Sequence, residues 1–228
     1  MFSLAVIEDE VALAASSLRP GRHVQALREV IEEKFIDRVI PWVGLVIALY
    51  DFLSVKDAFI FPGDLRDSQG EAACTVVFRL VVFQPSSDQL MIGRIVRSTT
   101  AGLQVSLSFF GDVEIPSHAL RLPNVIEERT KTWVWQYEEE GKPVRNFFYS
   151  VGEEVALRVK AVHQGEDGRN SGGAAQRVQL NRRAARAKPV GATVGDAAEA
   201  APLDRASPPL LVIGAVDSDG LGPLSWWV

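Results

Sequence analysis

The sequence predicts an α+β unit over residues 1–80 followed by an all-β barrel over residues 81–228. Three observations carry that reading. An amphipathic helical pattern is set among strand-like runs in the first part. From Gln89 onward, short alternating runs follow one another closely, with turn residues between them. And "GLQVSLSFFGDVEIP", residues 102–116, puts Leu103, Val105, Leu107 and Phe109 on every second position, breaks at Gly111–Asp112 and resumes at Val113 and Ile115. That is a strand, a turn and a second strand, each apolar on one side.

The first unit opens with a strand over "FSLAVI" (residues 2–7). In "RHVQALREVIEEKF", Val24, Leu27, Val30, Ile31 and Phe35 fall at helical spacing, so a helix starts just after Gly21. "VGLVIALYDFL" is apolar almost throughout and reads as a strand buried on nearly both faces. "DAFIF" is expected to be its partner, ended by Pro62-Gly63-Asp64 at an exposed polar loop. "CTVVFRLVVF" is a long strand leading out of the unit, closed by "QPSSD".

In the second unit "MIGRIVRS", "LQVSLSFF", "VEIP", "KTWVWQYEE", "VRNFFYS" and "EVALRVKAV" read as strands, with a turn of helix at "SHAL". Five or six short antiparallel strands suggest a closed barrel, and the OB-fold suits that size. Residues 164–208 are rich in Gly, Ala and Arg and poor in large apolar side chains, the composition of a mobile insertion. "PLLVIGAVDS" restores the pattern, with Leu211, Ile213 or their neighbours pointing inward, and is expected to complete the barrel.

Composition narrows the function. Apolar content of 47% fits a globular core. A net charge of −5 argues against a free-standing nucleic-acid binder, since phosphate affinity needs local positive excess. Cys74 is the only cysteine, so neither a disulfide framework nor a cysteine metal cluster is expected. "MFSLAVIEDE" has no basic leader, and the longest apolar run contains Pro41 and Gly44 and is too short to span a bilayer as a helix. No membrane role is expected. His23, His118 and His163 lie in separate contexts, and neither a phosphate loop nor a nucleophile elbow is visible. No cofactor and no catalytic residue is expected.

The strings "KFIDRVIPWVGLVIALYDFL", "VVFRLVVFQP", "GLQVSLSFFGDVEIPSHAL", "WVWQYEEEG" and "GLGPLSWWV", in this order, resemble the larger stalk subunit family of eukaryotic RNA polymerase III. RNA polymerases I and II and the archaeal RNA polymerase have equivalent stalk proteins. The resemblance covers residues 1–163 and 209–228. It implies an N-terminal domain of truncated ribonucleoprotein type and an OB-fold domain. It also implies a heterodimer with a smaller helical stalk subunit, docking on the polymerase core through the tip at Pro62, Gly63 and Asp64, a nuclear location, and a part in transcription initiation. The RNA chemistry then belongs to other chains. The alternative is an OB-fold RNA-binding subunit of another RNA-processing or translation complex.

OB-folds hold single strands by joining basic side chains to exposed aromatics. Gln104 and Glu114 stand where ribosomal-type barrels carry an aromatic and a histidine, so weak contact with nascent RNA is expected. The candidate residues are Arg94 and Arg97 on one strand, Lys131 on another, and Arg158 and Lys160, which alternate with Leu157 and Val159 and point outward. Arg145, Phe147 and Tyr149 share a face that joins charge to stacking. Trp133, Trp135, Trp226 and Trp227 are read mainly as packing residues. "RVQLNRRAARAK" (residues 177–188) carries five cations and no acid, as a basic arm or as a solubilising loop.

Overall fold

The structure is a computed structural model that describes residues 1–14, 22–61, 71–165, 177–179 and 208–227. In chain order the elements are β1 (Phe2–Ala14), α1 (His23–Phe35), β2 (Val39–Ile40), β3 (Gly44–Phe61) and β4 (Glu71–Phe83). Then come β5 (Leu90–Thr99), β6 (Gly102–Ser106), β7 (Val113–Pro116), β8 (Asn124–Glu127), β9 (Thr132–Tyr137) and β10 (Arg145–Phe148). The last are β11 (Glu154–Gln164), β12 (Arg177–Gln179), β13 (Leu210–Ala215) and β14 (Gly222–Pro223). Strands dominate, and the chain divides into two compact units, one centred on residues 2–83 and the other on 84–165 with 208–227.

The first unit is a sheet in the order β12-β1-β4-β3-β2 with α1 packed on one face. Every second residue of β1 from Ala5 to Leu13 points into the core, Asp9 included. Leu27, Ile31 and Phe35, one helical turn apart, bury the matching stripe of α1. Val24 lies on the same stripe but in the first helical turn, and it is left 52% exposed. Lys34 in the last helical turn donates to the buried Asp9 carboxylate at 2.5 Å, which ties helix to sheet.

Two expectations for this unit are corrected. "DAFIF" is not a separate partner strand but the end of β3, an 18-residue strand that pairs with β4 through four register shifts. Such bulges let a long strand bend without breaking. Nor is β3 buried on both faces, since Tyr50, Leu53 and Val55 are exposed. "CTVVFRLVVF" forms most of β4, which lies between β1 and β3 and, as expected, leads the chain out of this unit at Phe83. β3 and β4 pair as far as Phe61 and Glu71. The tip residues Pro62, Gly63 and Asp64 lie outside the described residues.

In the second unit the strand order is β13-β7-β6-β5-β11, and β13 also pairs with β11. Five strands therefore close on themselves as an OB-like barrel, with β7 and β13 its one parallel pair. Leu103, Val105, Val113, Ile115, Val155, Leu157, Val159, Leu210 and Val212 point inward. The alternation expected through Phe109 stops earlier. β6 ends at Ser106, Ser108 takes a φ of 73°, and Phe110 rather than Phe109 is buried. In β13 it is the neighbours of Leu211 and Ile213 that face the core. "KTWVWQYEE" and "VRNFFYS" are not barrel strands either, since β9 and β10 form a separate sheet with β8.

Candidate nucleic-acid interface

The cations read from the sequence do not share one surface. On the outer barrel face Arg94 meets Glu154 across the β5–β11 pair at 3.5 Å. Lys160 meets Asp217 at 3.2 Å. Partial burial pushes the Asp217 carboxyl up, but hydrogen bonds from Lys160 and Ser218, with the Lys160 charge, outweigh it and hold it below its ordinary value. Arg158 points outward between the buried Leu157 and Val159 as its spacing requires, yet it is only half-exposed and its Nε is buried without a partner among the described residues. Between these charges the face is apolar: Leu90 and Ile92 on β5 are 63% and 61% exposed, and Val96 is exposed beyond them. A groove of about 550 Å³ runs beside them, with Leu107, Phe109 and Ala156 in its lining.

Arg97 and Lys131 come closer together. Ser98 Oγ donates to the Lys131 carbonyl at 2.5 Å, and Trp133 Nε1 donates to Thr99 O at 2.8 Å. These two bonds hold the β8–β9 turn against the end of β5. The same turn carries Arg129, a residue not singled out from the sequence although "ERTK" places two cations two residues apart. Arg97, Arg129 and Lys131 are exposed, and none has an ion-pair partner among the described residues. Beside them Arg97 faces Gln104 on β6, and Gln104 faces Glu114 on β7, so that row has no ring on which a base could stack.

The aromatic side chains gather elsewhere. Trp135 on β9 stacks on Phe147 of β10 at 5.1 Å with ring planes 26° apart. Its other ring neighbours are Tyr137 at 5.3 Å and Trp226 at 5.5 Å. Arg121 lies over Trp135 at 4.4 Å and over Trp227 at 5.7 Å, donates to Ser218 O, and forms an ion pair with Asp219. No sequence signal pairs residues so far apart along the chain.

Tyr149 is corrected as a stacking candidate. It is fully buried, its ring edge meets Trp226 at 4.7 Å, and its hydroxyl accepts from the Arg121 amide at 3.3 Å. Burial raises its phenol, the amide bond and the Arg121 charge oppose, and the result is a pKa pushed up to about 12. Phe147 is half-buried and Arg145 exposed on β10. Trp133 and Trp135 are buried with their indole N–H groups bonded, as packing residues should be.

Among the described residues no group of three His, Cys, Asp or Glu side chains could hold a metal, and no helix is long and apolar enough to cross a membrane. The closed five-stranded barrel defines an OB-like β-barrel protein. Residues 89–227 match the family model for RNA polymerase III subunit Rpc25. The chain is 33% identical over 233 residues to the DNA-directed RNA polymerase III subunit RPC8 of Bos taurus, covering all of this chain and 98% of that one. It is 31% identical to the subunit of the same name in Schizosaccharomyces pombe and 28% identical to that of Saccharomyces cerevisiae, in both cases over the full length of both chains. The chain belongs to the RPC8 (Rpc25) family of RNA polymerase III subunits, an accessory subunit and not the catalytic one.

Proposed function

We propose that this chain is the larger stalk subunit of a nuclear RNA polymerase III and supports transcription initiation without doing chemistry. In this reading residues 1–80 form a domain of truncated ribonucleoprotein type that docks on the polymerase core through Pro62, Gly63 and Asp64. Residues 81–228 form the OB-fold domain. A smaller helical stalk subunit binds the chain, and nascent single-stranded RNA is guided weakly past it.

The observation that carries the proposal is the outer face of β5. Leu90 and Ile92 are more than half exposed beside an apolar groove, and the nearby Arg94 and Lys160 are matched by Glu154 and Asp217. A surface of this kind attracts little phosphate but suits the apolar face of a partner helix. Charge available to RNA is at Arg97, Arg129 and Lys131 and at Arg145 on β10, all exposed and without an ion-pair partner among the described residues.

Co-expression with the smaller stalk subunit tests this. A one-to-one complex burying more than about 2,000 Å² is expected, as in obligate pairs. Leu90→Asp with Ile92→Asp should abolish it while the barrel stays folded, because both side chains face outward. A stable monomer without affinity for that subunit, or a complex indifferent to the double substitution, would refute the assignment of this face.

A further inference from the structure

The aromatic cluster of the second unit is more than packing. Trp135 is buried as its floor, but Trp227 is 47% and Tyr137 37% exposed, and with Phe147 and Trp226 they line an open slot of about 280 Å³. That is slightly below the roughly 300–1,000 Å³ of whole small-molecule sites, which leaves room for one flat ring system and not for a helix. Arg121 and Asp219 form part of the same wall. Their charges cancel, so the slot draws in neither a phosphate nor a cation by Coulomb attraction.

We propose that this slot takes a single unpaired nucleobase of a single-stranded RNA, a site apart from the basic turn at Arg97, Arg129 and Lys131. The base stacks on the exposed rings of Trp227 and Tyr137. The Asp219 carboxylate, 93% exposed and held by Arg121 through one oxygen, accepts from a ring or exocyclic N–H of the base. A proline ring has no such donor to offer. A lysine or arginine side chain would add a net charge that the Arg121–Asp219 pair does not call for. This inference rests on the RNA-guiding part of the proposed function, and it supplies the stacking surface that Gln104 denies the barrel face.

The two kinds of RNA contact separate by salt. Phosphate contacts weaken as salt rises, whereas stacking hardly responds. The affinity of the full chain for a short oligoadenylate should therefore fall about fivefold or more in Trp227→Ala at every salt concentration, with an unchanged salt slope. Trp227→Tyr should restore most of it, and an abasic strand should show no difference between wild type and Trp227→Ala. Ultraviolet cross-linking of the wild-type complex should attach the base to Tyr137, Phe147 or Trp227. If RNA binds but Trp227→Ala binds equally well, or adducts fall only on the basic turn, the slot is not a base site although the RNA reading survives. Absence of any RNA binding overturns both. A basic or proline-rich peptide that occupies the slot while RNA does not would overturn the assignment in favour of a protein ligand.

Discussion

Gly102→Ala probes the barrel at its tightest point. Gly102 opens β6 and pairs with Pro116 at the end of β7. Its φ is +148°, and a Cβ built there would lie 2.1 Å from the Ile115 carbonyl oxygen and 2.9 Å from Pro116 Cα. Both are backbone atoms, so no side chain can swing aside. The backbone conformation costs an L-residue about 1–3 kcal/mol. Forcing β6 and β7 apart adds about 1–3 kcal/mol of overpacking. The sum, about 2–6 kcal/mol, is a large part of the roughly 5–15 kcal/mol that holds an ordinary domain folded. Urea denaturation followed by tryptophan fluorescence reads this unit, since all five tryptophans except Trp42 lie in it. The midpoint should drop sharply or the barrel should fail to fold. Gly111→Ala is the matched control, because nothing lies within 4 Å of its Cβ, and it should be close to neutral. A loss below about 1 kcal/mol for Gly102→Ala would refute the close approach of β6 and β7.

Two further outcomes are expected. The folded-state Tyr149 pKa of about 12 lies above its ordinary value of 10.0, so the folded chain keeps a proton that the unfolded chain releases. Stability should be indifferent to this group below about pH 10 and fall by up to about 1.4 kcal/mol per unit between about pH 10 and 12; Tyr149→Phe should remove that component from a denaturation series, and an unchanged profile would show that the phenol is not buried. For RNA, Arg97→Ala with Lys131→Ala should flatten the salt slope of affinity by about one to two, whereas Arg94→Ala with Lys160→Ala should barely change it. The reverse pattern in a salt titration would move the RNA path onto the β5–β11 face.

What was legible in the sequence was what depends on neighbours along the chain. Leu27, Ile31 and Phe35 declare the helix, and Leu103, Val105, Val113 and Ile115 declare two barrel strands, because a single period fixes which side is buried. What was not legible depends on partners far away. Nothing around Arg94 announces Glu154, and nothing around Arg121 announces Asp219, yet these pairs decide which cations remain for RNA. Tyr149 misled for a related reason. Alternation from Arg145 through Phe147 puts all three on one side of a strand, but β10 ends at Phe148 and the next residue turns into the core. The assignment of β9 to the barrel failed because an alternating strand looks the same whichever sheet it joins.

The barrel's own topology gives Arg97 and Lys131 a common setting. OB-folds meet their ligands on the face of their second and third strands and on two loops, one joining the first and second strands, the other the fourth and fifth. Here the strand face is occupied by Gln104 and Glu114 and offers little. The first of those loops is the Thr99–Gly102 turn, against which Trp133 and Ser98 fasten the turn bearing Arg129 and Lys131. The second connects β11 to β13. Gln164 and Leu210 are register partners, and the Gly165 amide donates to Pro209 O at 3.0 Å, so the chain leaves and re-enters the barrel at one point. A long connection there costs little, since each doubling of loop length adds only about 0.6 kcal/mol. Within that connection β12 (Arg177–Gln179) pairs antiparallel with β1, Arg177 opposite Glu8, and the rest of "RVQLNRRAARAK" lies outside the described residues. Arg97 at the end of β5 and Lys131 on the turn fastened to it are thus exposed cations set beside the first of those loops, which is why their double substitution is expected to change the salt slope.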